Sequence, residues 1–253
     1  MSSFAFALLL TTLAGLSTTF GAMISLVVGK PSPRFMSTAL GFSAGVMILV
    51  SFVELLPAGI DYIGFARACM IFLGGMVLMF AIDVLIPHSY VGEAHGGQYG
   101  PRETRLLRTG LFVALGLGIH NFPEGMATFI SALADAKLGI ALAAAIAIHN
   151  IPEGIAVAAP VYAATKSHAK AFAWSTLSGI AEPVGALLAA AVLLPVLNDA
   201  VLAWVLAFVG GMMVYVALDE LLPASREFGH EHSSILGAMA GMLVMAASLH
   251  LLK

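Results

Sequence analysis

Two short apolar stretches of the chain carry the same set of polar side chains. The first reads HNFPEG and begins at His120, and the second reads HNIPEG and begins at His149. In each copy the histidine and the glutamate are four residues apart, so a helix places them on one face, with the asparagine beside them. Together the copies offer two imidazoles, two amides and two carboxylates, namely His120, Asn121, Glu124, His149, Asn150 and Glu153.

This combination of side chains favours a site for a divalent transition metal. Imidazole nitrogen suits zinc, copper, iron and nickel, whereas calcium and magnesium sites consist almost wholly of oxygen ligands. The single cysteine of the chain, Cys69, excludes a multi-cysteine metal site and a disulfide within the chain. The paired motifs therefore predict a metal ion that is held loosely enough to leave again.

The composition places these motifs in lipid. Of the 253 residues, 60% are hydrophobic and only 10% are charged, against about 25% charged in soluble domains. The formal charge of −3 and the lack of a dense lysine and arginine patch in the sequence argue against a nucleic-acid partner. We therefore predict an all-α polytopic membrane protein, with the bilayer as its surroundings.

Eight apolar segments are long enough to cross a bilayer, whose core of about 30 Å needs about 20 helical residues. They are residues 4–28, 36–56, 64–86, 107–130, 138–161, 170–194, 200–222 and 233–252. The two motifs lie in the fourth and fifth segments. The connections are short except 87–106, which is polar and glycine-rich and is predicted to be flexible. We expect a single transmembrane domain over residues 1–253.

The basic residues of the loops predict the orientation. With the N-terminus outside, eight lysines and arginines face the cytoplasm and three face outward. The inner set is Lys30, Arg34, Arg102, Arg105, Arg108, Lys166, Lys170 and Arg226, and the outer set is Arg67, Lys137 and Lys253. Cytoplasmic loops carry such an excess. Both termini should therefore lie outside, with residues 87–106 in the cytoplasm.

Three segments near the start of the chain recur in the same order near its end. The pairs, separated by 164 to 166 residues, are 12–22 with 176–186, 51–58 with 217–224, and 74–79 with 240–245. Spans 1–3 thus match spans 6–8, and the two sets begin on opposite sides of the membrane. Inverted repeats around a central site are a transporter architecture, so we expect a 3+2+3 arrangement in which one repeat rocks against the other.

Seven acidic residues lie within the spans or at their ends, and no lysine or arginine lies well inside a span. They are Glu54, Asp83, Glu124, Glu153, Glu182, Asp219 and Glu220. A lone charge at the bilayer centre costs about 2.5–3.5 kcal/mol, so these carboxylates are either protonated or matched by an external cation. Glu182 lies in mid-span, and we interpret it as a third carboxylate of the site. A protonated structural glutamate is the alternative.

Proline and glycine flank the glutamate of each motif. Pro123 and Pro152 lack an N–H, so each frees the carbonyl four residues earlier and should kink its helix. Gly125 and Gly154 should let another helix approach closely.

The doubled motif, the eight spans and the histidine-containing loop after the third span resemble the ZIP (Zrt/Irt-like) metal transporters. Within that family the chain looks most like the bacterial zinc-uptake permease branch. The resemblance implies a bacterial inner-membrane protein, not an enzyme, that imports zinc or another divalent metal such as iron, manganese, cobalt or cadmium. It implies no prosthetic group, because the metal is the substrate, and it leaves a homodimer open.

The resemblance also implies two neighbouring metal positions. One would use His120, Glu124, His149 and Glu153, and the other Asn121, Asn150, Glu182 and the shared glutamates. Some relatives have Gln-Asp where this chain has His149 and Asn150. That departure leaves the second position with one carboxylate fewer.

Two other functions compete with metal transport. An intramembrane metalloenzyme could hold the same side chains, although the zincin motif H-E-x-x-H is absent from the sequence. The other is a proton-coupled carrier of an organic substrate, whose uptake would be unaffected by chelators.

Overall fold

The part of the chain that the structure describes is helical throughout its regular segments. This computed structural model describes residues 2–28, 32–85, 102–196 and 198–252. Its helices are α1 Ser3–Val28, α2 Pro33–Val50, α3 Leu56–Ile63, α4 Phe65–Leu85, α5 Arg102–Ala134, α6 Ala136–Thr165, α7 His168–Leu193, α8 Asp199–Val216, α9 Leu222–Arg226 and α10 Glu231–Leu252. The all-α prediction is confirmed.

Seven helical segments within the described residues are long and apolar enough to cross a membrane. They are Ser3–Val27, Pro33–Ile63, Phe65–Leu85, Ala136–Ala159, His168–Val196, Asp199–Arg226 and Glu231–Leu251. Leucines, valines and phenylalanines are exposed along their outer faces, as a lipid surface requires. The chain is therefore a multi-pass membrane protein.

Two helical paths are longer than predicted, and each contains a π-helical turn. Residues Ser51–Leu55 join α2 to α3, and residues Ala217–Leu221 join α8 to α9. The repeated ELLP sequence spans the end of each π-helical turn and the start of the following helix. Its proline lies in the first turn of that helix, where it is tolerated. The second predicted span, 36–56, therefore belongs to a helical path that continues to Ile63.

The predicted loop 87–106 falls largely outside the described residues. Its last five residues are an exception, because α5 begins at Arg102. Helix α5 thus begins five residues before the predicted start of the fourth span at residue 107.

Polar side chains mark the starts of several helices. Ser32, Asp135, Ser167 and Asn198 each accept a hydrogen bond from the backbone N–H three residues later. Such caps satisfy amides that the first turn of a helix leaves without partners. The break between α3 and α4 is a single residue, Gly64, whose φ of 82° suits glycine.

Glycines bring the backbones of α1 and α7 into direct contact with α6 and α5. A methyl group on Gly154 of α6 would overlap the carbonyl oxygen of Thr18, and one on Gly125 of α5 would overlap that of Glu182. Thr18 and Glu182 are separated by 164 residues, and so are the two glycines of the reverse contacts. Those glycines are Gly21, which meets Ile151, and Gly185, which meets Phe122.

The remaining long helices repeat this pattern in two further pairs. Gly75 of α4 contacts the carbonyl of Phe208 in α8, and Gly241 of α10 contacts the carbonyl of Phe42 in α2. Gly75 and Gly241 are 166 residues apart, and so are Phe42 and Phe208. The repeat detected in the sequence is thus reproduced in the backbone contacts.

These glycine contacts stay within two groups of helices. The first group is α1, α5, α6 and α7, in which Gly15 and Gly179 also meet each other's carbonyls. The second group is α2, α3, α4, α8 and α10. Helices α2, α8 and α10 also pack against α5 or α6, but none of the glycines whose surroundings the structure describes has backbone of the other group as its nearest neighbour.

Replacing Gly75 by alanine should destabilise the α4–α8 pair, because the added methyl group would overlap the carbonyl oxygen of Phe208. Overpacking of this kind costs about 1–3 kcal/mol. We expect a lower thermal unfolding midpoint for the purified protein in detergent.

Gly74→Ala is the matched control. A methyl group there would have Phe208 Cε2 as its nearest neighbour, at 4.0 Å, and alanine is the better helix former. Its midpoint should be unchanged or higher. Equal losses of stability in the two variants would contradict the close contact at Gly75.

Candidate metal site

A tight hairpin places the two motifs side by side on antiparallel helices. The side chain of Asp135 accepts a hydrogen bond from Leu138 N at 2.8 Å and so begins α6 directly after α5 ends. Close to this turn, a methyl group on Gly139 would overlap the backbone of Ala132. The two helices therefore remain in contact from their turn towards the motifs.

The two motifs meet through a histidine and a glutamate. His149 Nε2 lies 3.1 Å from Glu124 Oε1, and both side chains are fully buried. The other ring nitrogen of His149, Nδ1, donates to the carbonyl oxygen of Ala145 at 3.1 Å. This bond orients the imidazole so that Nε2 faces the carboxylate, as hydrogen bonds behind metal-binding histidines commonly do.

A hydrogen bond between His149 Nε2 and Glu124 Oε1 requires a proton between these two atoms. A carbonyl oxygen only accepts, so Nδ1 carries a proton, and Nε2 and Glu124 Oε1 must share a second one to form a hydrogen bond. A metal ion placed between the two atoms would take the place of that proton, because metal ligands bind deprotonated.

The two asparagines occupy equivalent places in the two halves of the site. Asn150 Nδ2 donates to the carbonyl oxygen of Ala14 at 3.0 Å, and Asn121 Nδ2 donates to that of Ser178 at 3.2 Å. Ala14 and Ser178 are 164 residues apart, the repeat spacing. Both amide groups are fully buried, and their Oδ1 atoms have no hydrogen-bond partner among the described residues.

Glu182 makes the two halves different. It is fully buried on α7, and its Oε1 accepts a short hydrogen bond from Asn150 Nδ2. Its repeat counterpart is Thr18, a neutral hydroxyl on α1. Glu182 thus contacts the second motif through Asn150.

The remaining predicted ligands are placed less completely. Glu153 is fully buried on α6, one helical turn beyond His149. The side chain of His120 lies outside the described residues, although its backbone belongs to α5. Among the described side chains no three histidine, cysteine, aspartate or glutamate groups form a metal-binding cluster.

The other acidic residues singled out in the spans lie on elements other than α5 and α6. Asp83 of α4 accepts a hydrogen bond from Tyr215 Oη at 3.4 Å. Glu54 and Glu220 lie in the two π-helical turns, and Asp219 beside Glu220 is exposed. His230 and His232 are exposed near the start of α10, whereas His88 and His95 fall outside the described residues.

The sequence reading missed the hydroxyl groups around the motifs. Ser43 of α2 donates to the carbonyl oxygen of His149 at 3.1 Å and joins the two helix groups there. Thr128 and Ser131 of α5 are fully buried, and their hydroxyl oxygens have no hydrogen-bond partner among the described residues. The signal was available, because both positions fall on the same helical face as Glu124.

Known proteins match the chain over most of its length. A family model described as "ZIP Zinc transporter" matches residues 87–249. Zinc transporter ZupT of Chlorobium phaeovibrioides is 54% identical to it, and the alignment covers 97% of each chain.

Two further relatives with the same name give a similar result. The protein of Chlorobium luteolum is 52% identical over 100% of both chains. That of Streptococcus mutans is 47% identical over 96% of both chains. The resemblance inferred from the doubled motif is confirmed, and the chain belongs to the ZIP zinc transporter family.

Proposed function

We propose that this protein imports divalent transition metal ions, zinc foremost, across the bacterial inner membrane through a site between α5 and α6. The observation that carries the proposal is the fully buried contact between Glu124 and His149. Two more carboxylates, Glu153 and Glu182, are fully buried. Glu153 lies one helical turn after His149, and Glu182 accepts a hydrogen bond from Asn150. The buried polar residues of the described chain include no lysine or arginine, so a cation is the natural partner of these carboxylates.

The chemistry of the donors supports two neighbouring metal positions. The first would be formed by His120, Glu124, His149 and Glu153, a mixture of imidazole and carboxylate that suits zinc, iron or manganese. The second would be formed by Asn121, Asn150, Glu182 and the shared glutamates. Glu124 Oε2 and both amide Oδ1 atoms are buried acceptors without a hydrogen bond among the described residues, and a bound cation would satisfy them.

The same proposal includes the eight-span 3+2+3 arrangement. Helix α5, with 33 residues, is long enough to be the eighth span beside the seven identified above. The glycine contacts of α1 with α6 match those of α7 with α5, which supports inverted repeats around the central pair α5 and α6. The excess of basic residues in alternate loops supports a topology with both termini outside and residues 87–106 in the cytoplasm.

The expected rocking of one repeat against the other does not fit the helix contacts. Helices of the first repeat are joined by glycines to helices of the second, as α1 is to α7 and α2 is to α10. We propose that α1, α5, α6 and α7 move as one body against the other helices and carry the metal site with them. Side-chain contacts such as Ser43 to His149 would then re-form between the two end states.

The rival functions are less well supported. The family match favours a transporter over an intramembrane enzyme, and the zinc in the relatives' names favours a metal over an organic substrate. A transporter of free metal ions should lose its substrate when a chelator is added outside.

Replacing either motif glutamate by glutamine should lower zinc uptake, because the substitution removes a negative charge and a metal ligand at nearly constant size. We expect the initial rate of radiolabelled zinc uptake into proteoliposomes to fall by at least about tenfold for Glu124→Gln and for Glu153→Gln. An external chelator should abolish uptake by the wild type.

Asp61→Asn serves as the control, because this carboxylate is exposed near the end of α3. Its uptake should equal that of the wild type. Unchanged uptake in both glutamate variants, with the wild type active, would refute the assignment of the site.

Replacing Glu182 by glutamine should remove the second metal position and leave the first. Glutamine still offers an acceptor oxygen to Asn150, but it lacks the charge. We expect calorimetric titration of the purified protein with zinc to show two ions per chain in the wild type and one in the variant. An unchanged stoichiometry would contradict the role of Glu182 as a metal ligand.

A further inference from the structure

One face of α5 carries a row of buried oxygen atoms that continues beyond the motif. It consists of Asn121, Glu124, Thr128 and Ser131, which we call the α5 polar stripe. The spacings of three, four and three residues place all four side chains on one helical face. All four are fully buried, and each has an oxygen without a hydrogen-bond partner among the described residues.

The hydroxyls of the stripe differ from those of four other threonines in the helices, although Thr18 Oγ1 is also buried without a hydrogen-bond partner among the described residues. Thr11, Thr12, Thr38 and Thr165 each donate to the carbonyl oxygen four residues earlier, the usual way in which a hydroxyl is satisfied inside a helix. Thr128 and Ser131 do not make this bond in the described structure. A buried polar group without a partner is destabilising, and in native proteins water or an ion commonly supplies the missing partner.

The stripe leads from the proposed metal site to the end of α5 at the hairpin turn. At 1.5 Å per residue, Ser131 lies about 10 Å along the helix from Glu124, and the exposed residue Asp135 lies about 6 Å further. In the proposed topology this turn faces outward. The stripe therefore covers the outer half of the distance across the bilayer core.

The corresponding face of α6 is apolar. A shift of 29 residues relates the motifs, and it carries Thr128 to Val157 and Ser131 to Pro160. Val157 is fully buried, and α6 runs from the hairpin turn towards the inner side. At these two positions the sequence of α5 thus has hydroxyl side chains where that of α6 has hydrocarbon side chains.

We propose that Thr128 and Ser131 line the path along which the metal ion travels between the outer surface and Glu124. Neutral hydroxyl oxygens replace part of the hydration shell without binding the ion so strongly that it stops. At the matching position of α6, Val157 is buried and offers no oxygen. This inference rests on the proposed function, and its test separates the two.

The first experiment measures whether the stripe can be reached from outside. Thr128→Cys and Ser131→Cys are made in a Cys69→Ala background and exposed in intact cells to a cationic, membrane-impermeant methanethiosulfonate. We expect both thiols to react, and a zinc concentration ten times its dissociation constant to slow the reaction by about tenfold.

Two cysteine controls frame this result. Lys137→Cys, exposed beyond the turn, should react at a rate that zinc does not change. Val157→Cys, at the position that the 29-residue shift between the motifs pairs with Thr128, should not react from outside. Inert thiols at 128 and 131 beside a reactive thiol at 137 would overturn the inference, and so would equal reactivity at 128 and 157.

The second experiment measures transport without the hydroxyls. The double variant Thr128→Val with Ser131→Ala should lower the initial rate of zinc uptake into proteoliposomes by about tenfold, the effect of losing roughly one hydrogen bond along the path. Thr11→Val is the matched control, since that buried hydroxyl is already bonded to Ala7, and it should transport normally.

The outcomes distinguish the inference from the proposed function. Full uptake by the double variant, beside a wild type that transports zinc, would overturn the role of the hydroxyls and leave the function standing. If the thiols of the cysteine variants react from outside and are protected by zinc, while the wild type fails to transport zinc, the path is supported and the proposed function is refuted.

Discussion

Carboxylates buried among apolar helices, with no lysine or arginine buried beside them in the described structure, are the constraint on which the rest of the molecule depends. Glu124, Glu153 and Glu182 are each fully buried, where an ionised group without a partner is strongly destabilising. The chain partly compensates for this burial with the imidazole of His149 and the amide of Asn150. Under the proposed function, a divalent cation would complete the compensation.

Glycine contacts make this burial compatible with the movement proposed above. At Gly125 and Gly154 the backbones of α7 and α1 touch α5 and α6 directly, so the four helices around the site form one closely packed body. The other helices are joined among themselves in the same way, for example at Gly75 and Gly241. Where the two groups meet, side chains such as Ser43 make contacts. Side-chain contacts can change partners more easily than closely packed backbones can.

Much of this could be predicted from the sequence because the signals are local. The doubled motif placed Glu124 and His149 on helices, and the repeats predicted matching pairs that the glycine contacts then reproduced. The π-helical turns at Ser51–Leu55 and Ala217–Leu221 could not be foreseen, since their sequences are ordinary for an α-helix. Which helices move together also depends on long-range contacts such as Gly15 with Gly179, and hydropathy patterns carry no information about those.

The most direct test of the account is X-ray absorption at the zinc K-edge of the purified protein loaded with one equivalent of zinc. If zinc binds between the two motifs, the spectrum should show imidazole nitrogen and carboxylate oxygen at about 2.0–2.1 Å, and His149→Ala should remove one imidazole from the first shell. A spectrum with oxygen ligands alone, or one that His149→Ala leaves unchanged, would contradict the central claim that the paired motifs hold the metal.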